Sequence, residues 1–253
     1  MITSLENARV KEVMRLRRGR ERRATGLFVV EGFREVERAR AAGLAFRAIY
    51  VAPELLDGLP PPPPTTSRAE PRAEEVSARV LRHMAYRTEP EGILAVVEAP
   101  TRELPANPTL VLVAVGVEKP GNLGAMARAG DAAGADALLV ADGVADPWNP
   151  NAIRASTGAV FSLPIVAASL DEVRALPLTR VAAVVGAPTL YTDVDLRGPI
   201  ALIVGAEDTG LDDRWRAAAD VTASIPMLGA AADSLNASAA ASVLLFEAVR
   251  QRG

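Results

Sequence analysis

Apolar residues recur along this chain with two periods, and the changes from one to the other mark out its elements. After Ser4, a residue type that caps helices, Leu5, Val10, Val13 and Met14 fall at helical spacing and leave the arginines between them outward. Leu27 to Val30, Ala48 to Val51 and Ile93 to Val97 are short aliphatic runs that predict strands, while helices are predicted from Gly32 to Ala42 and from Val76 to Met84. The prolines Pro60 to Pro64 carry no backbone N–H and predict a stiff, exposed loop. Pro100, Pro105 and Pro108 then punctuate a stretch without apolar period, which predicts a domain boundary separating residues 1–100 from 109–253.

Beyond that boundary the alternation of strand and helix strengthens. Leu110 to Val115 is unbroken apolar sequence, as expected of a strand covered on both faces. A helix from Asn122 to Ala133 and strands at Ala137 to Val140, Arg180 to Val185, Ile200 to Val204 and Val221 to Ile225 follow. The closing helix, Asn236 to Arg250, carries Val243, Leu244, Leu245, Phe246 and Val249, more apolar surface than one narrow stripe requires. The pattern predicts an α/β fold, a mostly parallel sheet with helices on both faces, preceded by a smaller α/β domain.

Composition narrows the chemistry. At 253 residues and 49% hydrophobic content, one or two well-packed domains are expected. The absence of cysteine excludes disulfides, thiolate catalysis and thiolate zinc sites, and with His83 the single histidine a His-rich metal site is excluded too, so no metal is expected. No charge-free stretch reaches the length of a membrane span and no apolar leader opens the chain, which points to a cytoplasmic protein without membrane contact. The net charge of −3 hides an asymmetry: residues 1–100 hold 17 basic and 14 acidic side chains, residues 101–253 hold 11 and 17. Near the N-terminus Arg15, Arg17, Arg18, Arg20, Arg22 and Arg23 outnumber the neighbouring glutamates, a footprint suited to phosphates or, alternatively, a solvated helix face.

Three glycine-bearing turns carry the candidate chemistry: EKPGNLGAMAR (Glu118 to Arg128), IVGAEDTGL (Ile203 to Leu211) and IPMLGAAADSLNAS (Ile225 to Ser238). Each adjoins a predicted strand end, where small residues let backbone approach a ligand. The first has the pattern G-x-x-G and lacks the G-x-G-x-x-G dinucleotide fingerprint, which argues against a nicotinamide enzyme. Taken together and in order, with FVVEGFREVERARAAG (Phe28 to Gly43), NPNAIRASTGAVFSLP (Asn149 to Pro164) and FEAVRQR (Phe246 to Arg252), they resemble the SpoU/TrmH family of RNA 2′-O-ribose methyltransferases over almost the whole chain. Two departures stand out: Ala206 precedes Glu207 where many relatives have Asn, and four residues separate Gly229 from Ser234.

The resemblance implies a C-terminal domain closed by a deep trefoil knot, preceded by an L30e-like substrate-binding domain. It implies S-adenosylmethionine as cofactor, held by Gly205, Ile225, Met227, Ser234 and Leu235, and RNA as substrate, with ribosomal RNA of the large subunit favoured over transfer RNA. Arg128 is the expected catalytic residue, supported by Asn122, Glu207, Ser234 and Asn236, each of which has helix capping or an exposed turn as its plainer explanation. Because a guanidinium is effectively never deprotonated in proteins, Arg128 is read as gripping phosphate and polarising the hydroxyl. Arg154 and Ser156 are expected to support substrate binding, and a homodimer is implied. An RNA-binding relative that has lost catalysis is the alternative.

Overall fold

The structure, a computed structural model, describes residues 1–56, 71–143, 145–229 and 231–253, so the Pro60 to Pro64 run lies outside the described residues. The chain divides into two compact units, Met1–Thr101 with Trp148–Arg154, and Arg102–Pro147 with Ala155–Gly253.

The first unit begins with α1 (Ala8–Arg15), capped by Asn7, whose side chain accepts from the Arg9 N–H; Ser4 instead closes the preceding turn by accepting from the Glu6 N–H. Next comes α2 (Gly19–Thr25), a helix without an apolar stripe and therefore invisible to periodicity. Then follow β1 (Leu27–Glu31), α3 (Phe33–Ala41), β2 (Phe46–Val51), β3 (Ala73–Glu75), α4 (Ala78–Met84) and β4 (Ile93–Glu98). The sheet order is β1-β4-β2-β3, with β4 antiparallel to both neighbours and β3 parallel to β2. Val10 and Val13 of α1 and Val80, Leu81 and Met84 of α4 share a core with Tyr50 and Leu94 of the sheet. Trp148 completes this unit by stacking on Phe28, ring centroids 4.6 Å apart.

Two arginines of the basic cluster take part in this packing. Arg22 is buried, and its Nη1 donates to the carbonyls of Leu16 (2.7 Å) and Arg17 (2.9 Å), groups that the end of α1 leaves without helical partners. Arg17 does the same for α4, its Nη2 donating to the carbonyls of His83 (3.0 Å) and Ala85 (2.5 Å). The expectation that Arg22 faces RNA is thereby corrected, since it is buried, while Arg17 remains exposed; cations placed at helix C-termini satisfy carbonyls and complement the helix dipole.

The second unit is built on β5 (Leu110–Val115), α5 (Pro120–Ala132), β6 (Ala137–Ala141), α6 (Pro150–Ser156, shared with the first unit), β7 (Ile165–Ala167), α7 (Leu170–Ala175), β8 (Thr179–Ala183), β9 (Thr189–Leu190), β10 (Ile200–Val204), α8 (Asp213–Ala218), β11 (Val221–Ser224) and α9 (Ala237–Arg252). Every pairing in its sheet, β7-β6-β5-β10-β8-β11-β9, is parallel. Its central strands β5 and β10 are buried at every position, which explains their unbroken apolar runs. From β5 the chain adds β6 and β7 on one side, then crosses to build the other. The C-terminal ends of β5 and β10 therefore flank the switch point where open parallel sheets bind ligands.

The end of α9 is fastened to this unit by polar side chains. Buried Glu247 accepts from Arg250 and Gln251, bonds that hold its carboxyl down at about 2. Gln251 also accepts from the Leu196 N–H (2.8 Å) and donates to the Val194 carbonyl (3.0 Å), while Arg252 donates to the carbonyls of Thr109 (2.9 Å) and Gly198 (2.6 Å). These bonds satisfy carbonyls of the neighbouring segments from the last turn of the chain.

Candidate active site

Strand β10 ends at Val204, and the next residue can only be glycine. A Cβ added at Gly205 would lie 2.5 Å from the Gly210 carbonyl oxygen and 2.6 Å from the Leu211 nitrogen, because the loop folds straight back over it. That return is closed by the Gly210 N–H donating to the Ala206 carbonyl at 3.0 Å. Beside the folded loop is a cavity of about 350 Å³ lined by the ends of β8, β10 and β11, with Gly205, Ile225, Met227, Ser234 and Leu235 all in its wall. Ile225, Met227 and Leu235 are half-buried. They are not closed core; their apolar surface is available to a ligand.

A second cavity, about 170 Å³, lies against the first and is lined by Gly116 just after β5 and by Lys119 and Asn122 from the first turn segment. Ala206, Glu207, Asp208, Thr209 and Ala237 line both. Between them runs a hydrogen-bond network drawn from all three turns. The Asn236 amide donates to Asn122 Oδ1 (3.2 Å) and to Glu207 Oε1, and the other oxygen of Glu207 pairs with Lys119. The Lys119 ammonium, and after it the Asn122 amide, hold the Glu207 carboxyl below the usual glutamate range against a smaller opposing effect of burial. Asn236 also caps α9, its Oδ1 accepting from the Ser238 N–H at 2.9 Å. Capping and site roles therefore coincide in one side chain, which fixes both the loop and the helix.

The other candidates are placed differently. Asn122 is not the cap of α5, since Lys119 occupies that position and Asn122 lies inside the first turn. Glu207 holds Lys119 and not Arg128. Arg128 is exposed on α5 and makes no side-chain hydrogen bond or ion pair among the described residues. Ser156 is fully buried, with its Oγ accepting from the Gly158 N–H at 3.1 Å. Arg154 is exposed, with Asn151 Oδ1 at 3.5 Å, and Arg15, Arg18, Arg20 and Arg23 are exposed as expected. Lys119 is the site residue that sequence reasoning passed over. Its position beside Pro120, inside a motif already singled out, was the available signal.

Comparison with known proteins fits this arrangement. The sequence profile of the SpoU rRNA Methylase family matches residues 109–246, which contain all three turns and both cavities. The chain belongs to the SpoU family. A profile for an MRM3-like substrate binding domain matches residues 7–95 of this SpoU-family chain. It is 36% identical to the 23S rRNA (uridine(2479)-2′-O)-methyltransferase of Streptomyces viridochromogenes over 99% of this chain and 92% of that protein. It is 33% identical to the 23S rRNA (guanosine(2553)-2′-O)-methyltransferase RlmP of Bacillus subtilis over 97% of both. Among solved structures, a crystal structure of an RNA 2′-O ribose methyltransferase aligns with TM-score 0.85 and 45% identity over 99% of this chain and 98% of that one. An AdoMet-bound rRNA methyltransferase from Sinorhizobium meliloti aligns with TM-score 0.86 and 29% identity, covering 98% and 97%. Among the described residues no helix is long and apolar enough to cross a membrane.

Proposed function

We propose that this SpoU-family protein transfers a methyl group from S-adenosylmethionine to a ribose 2′-hydroxyl of 23S ribosomal RNA in the cytoplasm. The observation that carries the reading is the pair of adjoining cavities whose shared wall is knitted by Asn122, Glu207 and Asn236, one residue from each turn. The larger cavity fits the cofactor: its volume lies in the range of small-molecule sites, and its wall combines apolar side chains with the backbone of Gly205, where side-chain bulk is excluded. Ile225, Met227 and Leu235 take the apolar part of the cofactor, while Ser234 and the exposed backbone take its polar groups. When bound, S-adenosylmethionine would supply a sulfonium methyl that passes to the ribose oxygen as S-adenosylhomocysteine leaves.

The protein's task is then orientation and help with one proton. Orientation in a preformed site supplies about 7–11 kcal/mol in favourable cases. Asn122, Glu207 and Asn236 hold the wall between the two cavities rigid. Arg128 grips the phosphate next to the target ribose and polarises the hydroxyl, whose proton leaves to phosphate or water, since a guanidinium does not act as a base. With no partner among the described residues, Arg128 is available for that contact.

The same reading takes the segment closing at Arg252 as part of a trefoil knot and the protein as a homodimer. Phe246 and Val249 of α9, 49% and 37% exposed, support a partner on that face. The test is transfer of labelled methyl from S-adenosylmethionine to 23S ribosomal RNA, with the modified ribose mapped by mass. Arg128→Ala and Arg128→Lys are both expected to lose most transfer while cofactor affinity stays within a few-fold. Near wild-type turnover in the lysine variant overturns the role given to the guanidinium.

A further inference from the structure

Outside the candidate active site, the first unit contains an open groove of about 640 Å³ where α1 and α4 pack together. Leu5 and Met14 form its apolar floor, and Lys11, Arg15 and His83 stand around it. Lys11 and Arg15 lie four residues apart on α1 and so share a face of that helix. On α4, Val80, Leu81 and Met84 are buried, which turns Arg79, Arg82 and His83 to solvent together at the spacing i, i+3, i+4. Arg15, Arg79 and Arg82 have no acidic partner among the described residues. The one acid in the groove wall, Glu6, is paired with Lys11 in a bridge whose members are 82% and 58% exposed, and Glu12 of α1 does not line the groove.

We propose that the α1–α4 groove is an RNA-binding site, in which Lys11, Arg15 and His83 of its wall, with Arg79 and Arg82 on the exposed face of α4 beside it, take backbone phosphates and Leu5 and Met14 seat an unstacked nucleobase. The pairing of an apolar floor with Arg15, and with Arg79 and Arg82 beside it, none of which has an acidic partner among the described residues, is what separates this groove from a solvated helix face. Phosphate charge supplies affinity, and an apolar strip suits the flat face of a base. The Lys11–Glu6 bridge is exposed enough to yield, since such pairs are weak in water and are screened by salt. Packing shapes the groove further. Arg17 bonds the carbonyls of His83 and Ala85, so the basic cluster contributes one arginine to fixing α4 while α4 presents others that lie outside that cluster in sequence.

The proposal rests on the RNA methyltransferase reading, and the experiment separates the two. Binding of 23S ribosomal RNA to the full chain is measured across salt concentration, beside the steady-state constants for methyl transfer. Arg79→Gln/Arg82→Gln/His83→Gln is expected to weaken binding at least tenfold at physiological salt. Each lost phosphate contact flattens the log–log salt slope by about 0.7 to 0.9, so the loss of the two arginine charges flattens it by about 1.4 to 1.8. KM for RNA rises while kcat and S-adenosylhomocysteine affinity hold. Lys11→Gln/Arg15→Gln makes the same test from α1 should the first variant misfold, and Arg79→Lys/Arg82→Lys is expected to keep the slope. An unchanged slope and KM in both glutamine variants, with methyl transfer intact, overturns the groove and leaves the enzyme. Wild-type binding that the glutamine variants flatten, without any methyl transfer, keeps the groove and overturns the enzyme. Wild-type binding that shows no salt dependence overturns the groove outright.

Discussion

Gly205→Ala tests whether the fold-back of the β10 loop shapes the cofactor cavity. Carbon atoms settle at about 3.5 Å or more from their neighbours, and the new Cβ would sit 2.5 Å from the Gly210 carbonyl oxygen. Backbone must therefore retreat by roughly 1 Å. Gly205 follows a strand buried at every position, whereas Gly210 is exposed, so the loop and not the sheet is expected to move. Overpacking of this kind costs about 1–3 kcal/mol. If about 2 kcal/mol of that falls on the ligand-bound state, affinity drops about 30-fold. Calorimetry with S-adenosylhomocysteine reads the affinity and a thermal melt reads the remainder. Gly121→Ala is the control, because its added methyl meets nothing within 4 Å. The reasoning fails if Gly205→Ala binds within twofold of wild type and melts at the same temperature.

Three further outcomes are expected. Arg22→Ala removes a buried guanidinium that donates to two carbonyls and should cost about 3 kcal/mol of stability, whereas exposed Arg23→Ala should stay within about 0.5 in denaturant titration; equal effects would return Arg22 to the surface. The folded-state pKa of Glu247, about 2, is below the unfolded value, so its contribution is full above about pH 4.3 and is lost as pH falls towards 2. Glu247→Gln should be less stable at neutral pH and should show a shallower fall across that window, and parallel pH–stability curves would contradict this. Phe246→Glu should convert a dimer to monomer in sedimentation at low micromolar concentration, and a monomeric wild type would refute the assembly.

How much of this was legible in the sequence depended on how each element is stabilised. Strands β5 and β10 were readable because burial on both faces demands unbroken apolar sequence, and α9 because it is long and apolar. Helix α2 was not, for its sequence GRERRAT has no stripe to detect and its buried residue is an arginine. Short β3 and β9 were likewise missed; three and two residues cannot display a period. At the site, the three turns announced themselves by glycine and short polar residues, and the structure does join Asn122, Glu207 and Asn236. The partner choice of Glu207 could not be read, because it depends on which cation the fold places within reach, and that is Lys119. Nor could charge counting tell Arg22, committed to helix carbonyls, from Arg23, one residue away and free to solvent.

The division of the chain has a consequence for how the protein is made. The sheet of the first unit is complete at Glu98, yet Trp148, whose ring covers Phe28, belongs to a segment that follows Pro147 of the second unit. During synthesis Phe28, fully buried in the finished protein, waits for an indole translated on the order of fifty residues later, a delay of a few seconds at about 5–20 residues per second. The nascent N-terminal unit passes that interval with an aromatic face uncovered, and a fragment ending at residue 101 would remain in that state permanently. A fragment meant to hold the whole first unit therefore has to carry Trp148–Arg154 as well as Met1–Thr101.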